Sequence, residues 1–256
     1  MEAVSKSVQA KTADEIARIG EAGRVVADVL AEVSAAARPG VTTRELDRLA
    51  DAGARGRGAH PAFKGYLGYP ASLCISVNEE VVHGIPGDRI LRDGDIVSLD
   101  FGAELRGFFA DAAVSVPVGR ASAPAVRLVR ATQEALSRAV AAALAGGHLG
   151  DIGAAVQGHV EPLGFSVVRD FVGHGIGRRL HEPPQVPNFG RRGSGARLQA
   201  GLVLAIEPMV NEGEAGVRIL DDGWTAVTAD GRLSAHFEHT VAVTEDGPVL
   251  LTLPGG

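Results

Sequence analysis

One cysteine, Cys74, stands in 256 residues, so no internal disulfide can form. That scarcity fits a reducing cytoplasm. No run of about 18 uncharged apolar residues occurs, so no membrane span is expected. The start, Met1-Glu2-Ala3-Val4-Ser5-Lys6, lacks the apolar core of a signal peptide. There is no basic stripe: 25 Lys and Arg are interspersed with 31 Asp and Glu, for a net charge of −6. That balance argues against a nucleic-acid partner and against an anionic membrane surface. Aromatic residues make up only 4% of the chain, with two Tyr and one Trp. Rings this few invite the question of where each is used.

What is present points to a strand-rich α/β chain. The 34 glycines sit between apolar runs, and 45% of residues are apolar, enough for one large domain or two small ones. The spacing of Ile16, Ile19, Val25, Val26, Val29 and Leu30 predicts a helix over 13–38, with Thr12 as N-cap and Pro39-Gly40 as its stop. Thr42 and Glu45 are placed for a capping box on a second helix that runs to about Gly56. Strands are predicted over 72–77, 96–102 and 108–116. The pattern then restarts, with helices over 123–144 and 151–163 and strands near 166–168, 202–210, 225–228 and 236–244. Two helices followed by strands, twice over, predicts two related halves, although their sequences are not visibly alike. No Pro/Ser-rich linker separates them. We therefore expect a short extension over 1–12 and a single domain over 13–251.

Five residues able to ligate a metal stand at the ends of apolar runs. They are Asp100, Asp111, His174, Glu207 and Glu238. Carboxylates that close buried strands cost free energy unless something neutralises them. Four carboxylates and one imidazole form a hard, oxygen-rich set suited to a pair of divalent cations rather than to a thiolate-type zinc site. Two such cations would balance the four carboxylates, and a bridging water would ionise readily and attack a carbonyl. A two-residue turn at Leu105-Arg106 would place Asp100 directly opposite Asp111, though that pair is poor turn chemistry and a bulge at Gly107 would shift the register. Strand alternation over 236–244 puts His236, Glu238 and Thr240 on one face and His239 on the other. Taken singly these residues are ordinary turn caps or edge charges; their joint occurrence is the signal. Gly173-His174-Gly175-Ile176-Gly177 lacks the spacing of a nucleotide loop, and His60, His148 and His159 read as surface.

Several strings carry a family resemblance. Cys74-Ile75-Ser76-Val77-Asn78-Glu79, Val82-His83-Gly84-Ile85-Pro86 and Gly94-Asp95-Ile96-Val97-Ser98-Leu99-Asp100 resemble those of type I methionine aminopeptidases. So do Gly173-His174-Gly175-Ile176-Gly177, His181-Glu182-Pro183-Pro184-Gln185-Val186 and Ile206-Glu207-Pro208-Met209, followed by Asp222-Gly223-Trp224-Thr225 and Phe237-Glu238-His239-Thr240. The resemblance spans about residues 13 to 250. It implies the pita-bread fold, a curved antiparallel sheet flanked by helices in pseudo-twofold halves. It implies a cytoplasmic hydrolase that removes the N-terminal methionine of nascent proteins when the second residue is small.

Two divalent ions are implied, with Mn, Fe(II) and Co(II) all suited. Asp100 would chelate one ion, Asp111 and Glu238 would bridge, and His174 and Glu207 would hold the second. Glu207 would also exchange protons with the bridging water. His83 would contact the scissile amide and His181 would steady the oxyanion. Phe63, Tyr66, Tyr69, Cys74, Leu180 and Trp224 would line the methionine pocket, which suits a polarizable thioether. Many members carry Gln where His236 stands, and its expected place is near the metals without ligating them. There an imidazole would add an ionisation near neutral pH. Leu180 and Phe63 depart from the family as a matched large-for-small exchange. Nascent N-termini are the expected partners. Transient ribosome contact fits a cotranslational enzyme, and nothing demands a second subunit, so a monomer is expected. The chain's own start, Met1-Glu2, should keep its methionine. The same fold also carries X-Pro peptidases and metal-free binding modules, and the filled ligand set argues against the latter.

Overall fold

The computed structural model describes residues 9–254; Met1–Lys6 and the expected fate of Met1 lie outside them. Thr12 caps α1 (Ala13–Ala36), accepting from the Glu15 N–H at 3.3 Å, while the Glu15 carboxylate accepts from the Thr12 N–H at 2.9 Å. Thr42 and Glu45 repeat the arrangement at α2 (Thr43–Gly56), as the spacing predicts. Helix α1 stops at Ala36, short of residue 38, because Ala37 turns to ψ 88°. Pro39 also disfavours a helical residue before it.

Five strands follow: β1 (His60–Pro61), β2 (Cys74–Val77), β3 (Glu80–Val82), β4 (Ile96–Leu105) and β5 (Phe108–Pro117). The second half begins with α3 (Ala123–Ala142), α4 (Leu149–Val160), β6 (Ser166–Val167), β7 (Gly173–Gly175) and β8 (Glu182–Val186). It ends with β9 (Val203–Ile206), β10 (Met209–Asn211), β11 (Val217–Ile219), β12 (Ala226–Thr228), β13 (Ser234–His236), β14 (Glu238–Thr244) and β15 (Gly247–Leu250). A nine-stranded antiparallel sheet runs β1-β4-β5-β14-β9-β7-β8, with β2 also on β4 and β15 on β14. Two three-stranded sheets, β13-β10-β6 and β11-β12-β3, complete the described residues.

The twofold organisation appears in the core. Ile19, Val26 and Leu46 of the first helix pair pack on Leu99 and Phe101 of β4. Leu128 and Ile152 of the second pair join a separate cluster with Leu204, Ile206 and Val241 of β9 and β14. Each such side chain contributes about 1.5–3 kcal/mol by leaving water. Because strand side chains alternate, Leu99 and Phe101 face the helices and Asp100 between them faces the opposite side. This is the curved sheet with flanking helices that the resemblance implies.

Four expectations need correction. The β4–β5 turn is Arg106-Gly107, not Leu105-Arg106, with Leu105 paired to Phe108. Both turn residues take positive φ, 51° and 84°, the geometry of a tight hairpin, and Gly107 supplies it without a Cβ clash. The register therefore moves by two residues: Asp100 pairs with Ala113, and Asp111 with Gly102. A shift of two keeps both aspartates on one face.

The expected strand over 202–210 is broken at Glu207-Pro208 into β9 and β10, which lie in different sheets, since Pro208 has no N–H for a ladder. The strand over 236–244 breaks at Phe237, so His236 belongs to β13 and not to the Glu238 strand. Finally, the His159 side chain is only 11% exposed beside Glu134 and is not surface, whereas His148, the N-cap of α4, is partly exposed. His60 is exposed, as expected.

Candidate metal centre

The site grows out of two rows across the large sheet. In one row Asp100 pairs with Ala113, and Ala113 with Glu238. In the other, His174 pairs with Ala205, and Ala205 with Thr240. Asp111 joins that second row through Thr240, whose hydroxyl donates to the Asp111 carbonyl at 2.8 Å and accepts from the Asp111 N–H at 3.1 Å. Glu207 follows β9 directly, two residues beyond Ala205 and on the same side. The strand break beside it is stabilised by Asn188, whose amide donates to the Glu207 carbonyl at 2.9 Å.

His174 lies mid-strand rather than in a loop. Its two glycines are required by close packing, because a Cβ on Gly173 would meet the Ala205 carbonyl at 2.3 Å and one on Gly175 the Pro183 carbonyl at 2.2 Å. The His174 Nδ1 donates to the Gly175 carbonyl at 2.9 Å. That fixes the tautomer and leaves the Nε2 lone pair facing Asp111 Oδ2 and Glu207 Oε1, each at 3.5 Å.

Asp111, His174 and Glu238 offer three ligand atoms all within 4.8 Å of one another. Asp100 and Glu207 line the same cavity of about 510 Å³. Asp100 Oδ1 and Glu238 Oε1 are buried with no hydrogen-bond partner. Burial, together with the neighbouring carboxylates, pushes Asp100, Glu207 and Glu238 well above the usual carboxylate range. Burial likewise raises Asp111, to about 6. Orphaned oxygens on crowded acids are the mark of a cation site: a hard divalent ion would satisfy the oxygens and reverse the repulsion. The donor set therefore fits divalent metal.

Around these acids the cavity collects the residues expected to line the methionine pocket, together with His83, His181 and His236. Tyr69, Ala71 and Cys74 form a small apolar cluster, backed by Phe63, Ile85 and Trp224 and distinct from the two main cores. Tyr69 and Trp224 meet edge to face at 5.1 Å. The buried Tyr69 hydroxyl is 2.8 Å from the Gly84 carbonyl. Tyr66, Leu180, His83, His181 and His236 also line the space.

His83 takes φ 61°, a sparsely populated conformation, and its ring stands edge-on to Phe171 at 5.4 Å. Burial and the charge of His181 hold it down at about 4. His181 is also held near 4 by burial, and its Nδ1 lies 2.8 Å from the Tyr66 hydroxyl. His236 reaches the cavity despite the strand break, with a buried, unpartnered Nε2. Burial pushes its pKa down to about 3. His239 points away, to the Thr252 hydroxyl at 2.8 Å, as alternation requires.

Leu67, Val82, Asp170, Phe171, Val172 and Met209 line the cavity as well and escaped the sequence reading. Of these, Val82 and Met209 stood in recognised strings. Leu67 carries a signal in retrospect, an apolar residue in the short glycine-bounded stretch Gly65-Tyr66-Leu67-Gly68, which is unsuited to a core.

The description of metallopeptidase family M24 matches residues 17–245. The chain is 54% identical over 243 residues to the methionine aminopeptidase of Clostridium perfringens (strain 13 / Type A), covering 95% of this chain and 98% of that one. It is 50% identical over 242 residues to methionine aminopeptidase 1 of Bacillus subtilis (strain 168), covering 94% and 98% respectively. The crystal structure of a methionine aminopeptidase from Thermotoga maritima superposes with a TM-score of 0.95 at 47% identity, covering 96% of this chain and 100% of that chain.

Proposed function

The chain belongs to metallopeptidase family M24, and on that premise we propose that it removes the N-terminal methionine from nascent proteins and peptides whose second residue is small. The observation that carries this reading is the coincidence of a four-carboxylate, one-imidazole set with an aromatic, sulfur-compatible pocket in one cavity. The catalytic unit is a single domain over 13–251. Two ions, of Mn, Fe(II) or Co(II), fit the charge of the set, held by Asp100, Asp111, His174, Glu207 and Glu238. Bound there, such ions would lower the pKa of water and polarise the scissile carbonyl.

The protein's own residues do the rest. Phe63, Tyr66, Tyr69, Cys74, Leu180 and Trp224 receive the methionine side chain, which leaves the free amine beside the carboxylates and limits the enzyme to N-termini. Glu207 takes the proton of the attacking water and returns it to the leaving amine. Held far below its ordinary range by burial, His83 is neutral at working pH and offers a ring N–H to the scissile amide. Neutral for the same reason, His181 offers its ring N–H where negative charge develops on the carbonyl oxygen. His236 stands beside these groups without ligating. Glutamate in second place would meet a carboxylate-rich wall and is rejected.

None of the described helices is long and apolar enough to cross a membrane. A cytoplasmic monomer acting on chains as they leave the ribosome is the setting we infer. Cleavage of Met-Gly-Met-Met, Met-Glu and Gly-Pro peptides by the metal-loaded protein tests the reading. Release of methionine from the first alone is expected. Cleavage of Gly-Pro instead would make the protein an X-Pro peptidase, and no cleavage with no bound metal would make it a binding module.

A further inference from the structure

Lys11 belongs to the segment that the sequence marks as an extension, yet its side chain is only 6% exposed. Its Nζ lies 2.5 Å from Glu182 Oε2, and the Glu182 side chain is 11% exposed. The Lys11 N–H donates to the Gly201 carbonyl at 2.7 Å. Its stem fills the space beside Gly177, where an added Cβ would meet Lys11 Cε at 2.4 Å. The other carboxylate oxygen, Glu182 Oε1, accepts from the Arg179 N–H at 3.0 Å. The Gly177 N–H in turn donates to the Arg179 carbonyl at 3.2 Å. One carboxylate thus ties the N-terminal segment to the tight turn from Gly177 to Glu182.

His181 is the residue just before Glu182 in that turn. Its ring lies 4.2 Å from the His174 ring, centroid to centroid. A buried carboxylate stripped of its counter-charge turns toward water. Glu182 would then release the Arg179 N–H, and the turn that aims His181 would reset. A misplacement of ~1 Å at a reacting group costs on the order of 100-fold in rate.

We propose that Lys11 is a positioning residue for His181, acting through Glu182, so that the N-terminal segment sets the geometry of the oxyanion donor. This rests on the role given to His181 above. Lys11→Met keeps the length of the side chain and deletes its charge, whereas Lys11→Arg keeps the charge. Each is assayed on Met-Gly-Met-Met, in the otherwise unchanged enzyme and with His181→Ala, alongside metal content and Tm.

The expected result is that Lys11→Met lowers kcat by roughly 10- to 100-fold, with KM and metal content little changed, and that Lys11→Arg recovers most of the loss. In the His181→Ala enzyme, Lys11→Met lowers kcat no further, although Tm falls equally in both backgrounds. A further loss of the same size in that background, or metal loss from Lys11→Met, overturns the proposal. Normal kcat in His181→Ala alone is a separate failure: it overturns the role of His181, and the proposal falls with it. If Lys11→Met does not fold, Glu182→Gln, which keeps shape and drops charge, is read through the same cycle.

Discussion

Asp100 and Glu238 face each other across Ala113, the register partner of both. The methyl group between them is fully buried. A larger side chain there would wedge the two carboxylates apart. Ala113→Val is expected to cost about 1–3 kcal/mol of stability by overpacking and to lower metal affinity and kcat far more than the fold. Metal content after desalting, measured beside Tm, checks this. Full metal occupancy with normal turnover would show that Ala113 does not set the spacing.

Asp111 sits where the second row of the sheet meets the cavity, held on both backbone sides by Thr240. Asp111→Asn preserves that backbone pairing, so the fold should persist. An amide offers less charge and one good ligand oxygen, so turnover should be lost even in excess metal. Near-normal rates in the purified, metal-supplemented variant would sink its place in the ligand set.

His83→Ala should keep metal and lose about 10²–10³ in kcat, the usual cost of one well-placed donor. The strained φ of 61° at this position is relieved in neither variant nor parent, so Tm should move little. Should the variant purify without metal, His83 would be reassigned as a ligand.

Chelation should act on stability with a definite pH dependence. Burial raises Asp111 to about 6 and holds Asp100, Glu207 and Glu238 above their ordinary range. Folded, metal-free protein therefore binds more protons than the unfolded chain between the ordinary carboxylate range and these raised values. Its stability falls as pH rises through that window. Divalent ions bind the ionised carboxylates and remove the penalty, and protons compete with them at low pH. The Tm difference between metal-loaded and EDTA-treated protein should widen from about pH 5 to about pH 7.5. A constant difference over that range would contradict the raised carboxylates.

Much of this was legible in the primary structure because it is local. Capping boxes at Thr12 and Thr42 lie within four residues of their partners, so their chemistry is complete in a short string. The ligand types, their order and the aromatic strings of the pocket are likewise written residue by residue. Even the error in the β4–β5 register was harmless, since a shift of two residues preserves the face on which Asp100 and Asp111 stand.

Tertiary structure decided what depends on distant partners. Whether Glu207 and Phe237 continue a strand or break it is settled by which sheet has room for the segment beyond. Proline marks one break, but nothing local marks the other. The rows that set Asp100 beside Ala113 and Glu238, or Asp111 beside Thr240, are separations across the sheet that packing against two helix pairs selects. Lys11 and Glu182 are 171 residues apart, and neither carries a local sign of the other. Residue types determine which chemistry the chain can perform, because charge and polarisability belong to the side chain. Where those groups meet is decided by the folded backbone, because the free energy of burying them depends on neighbours that only folding supplies.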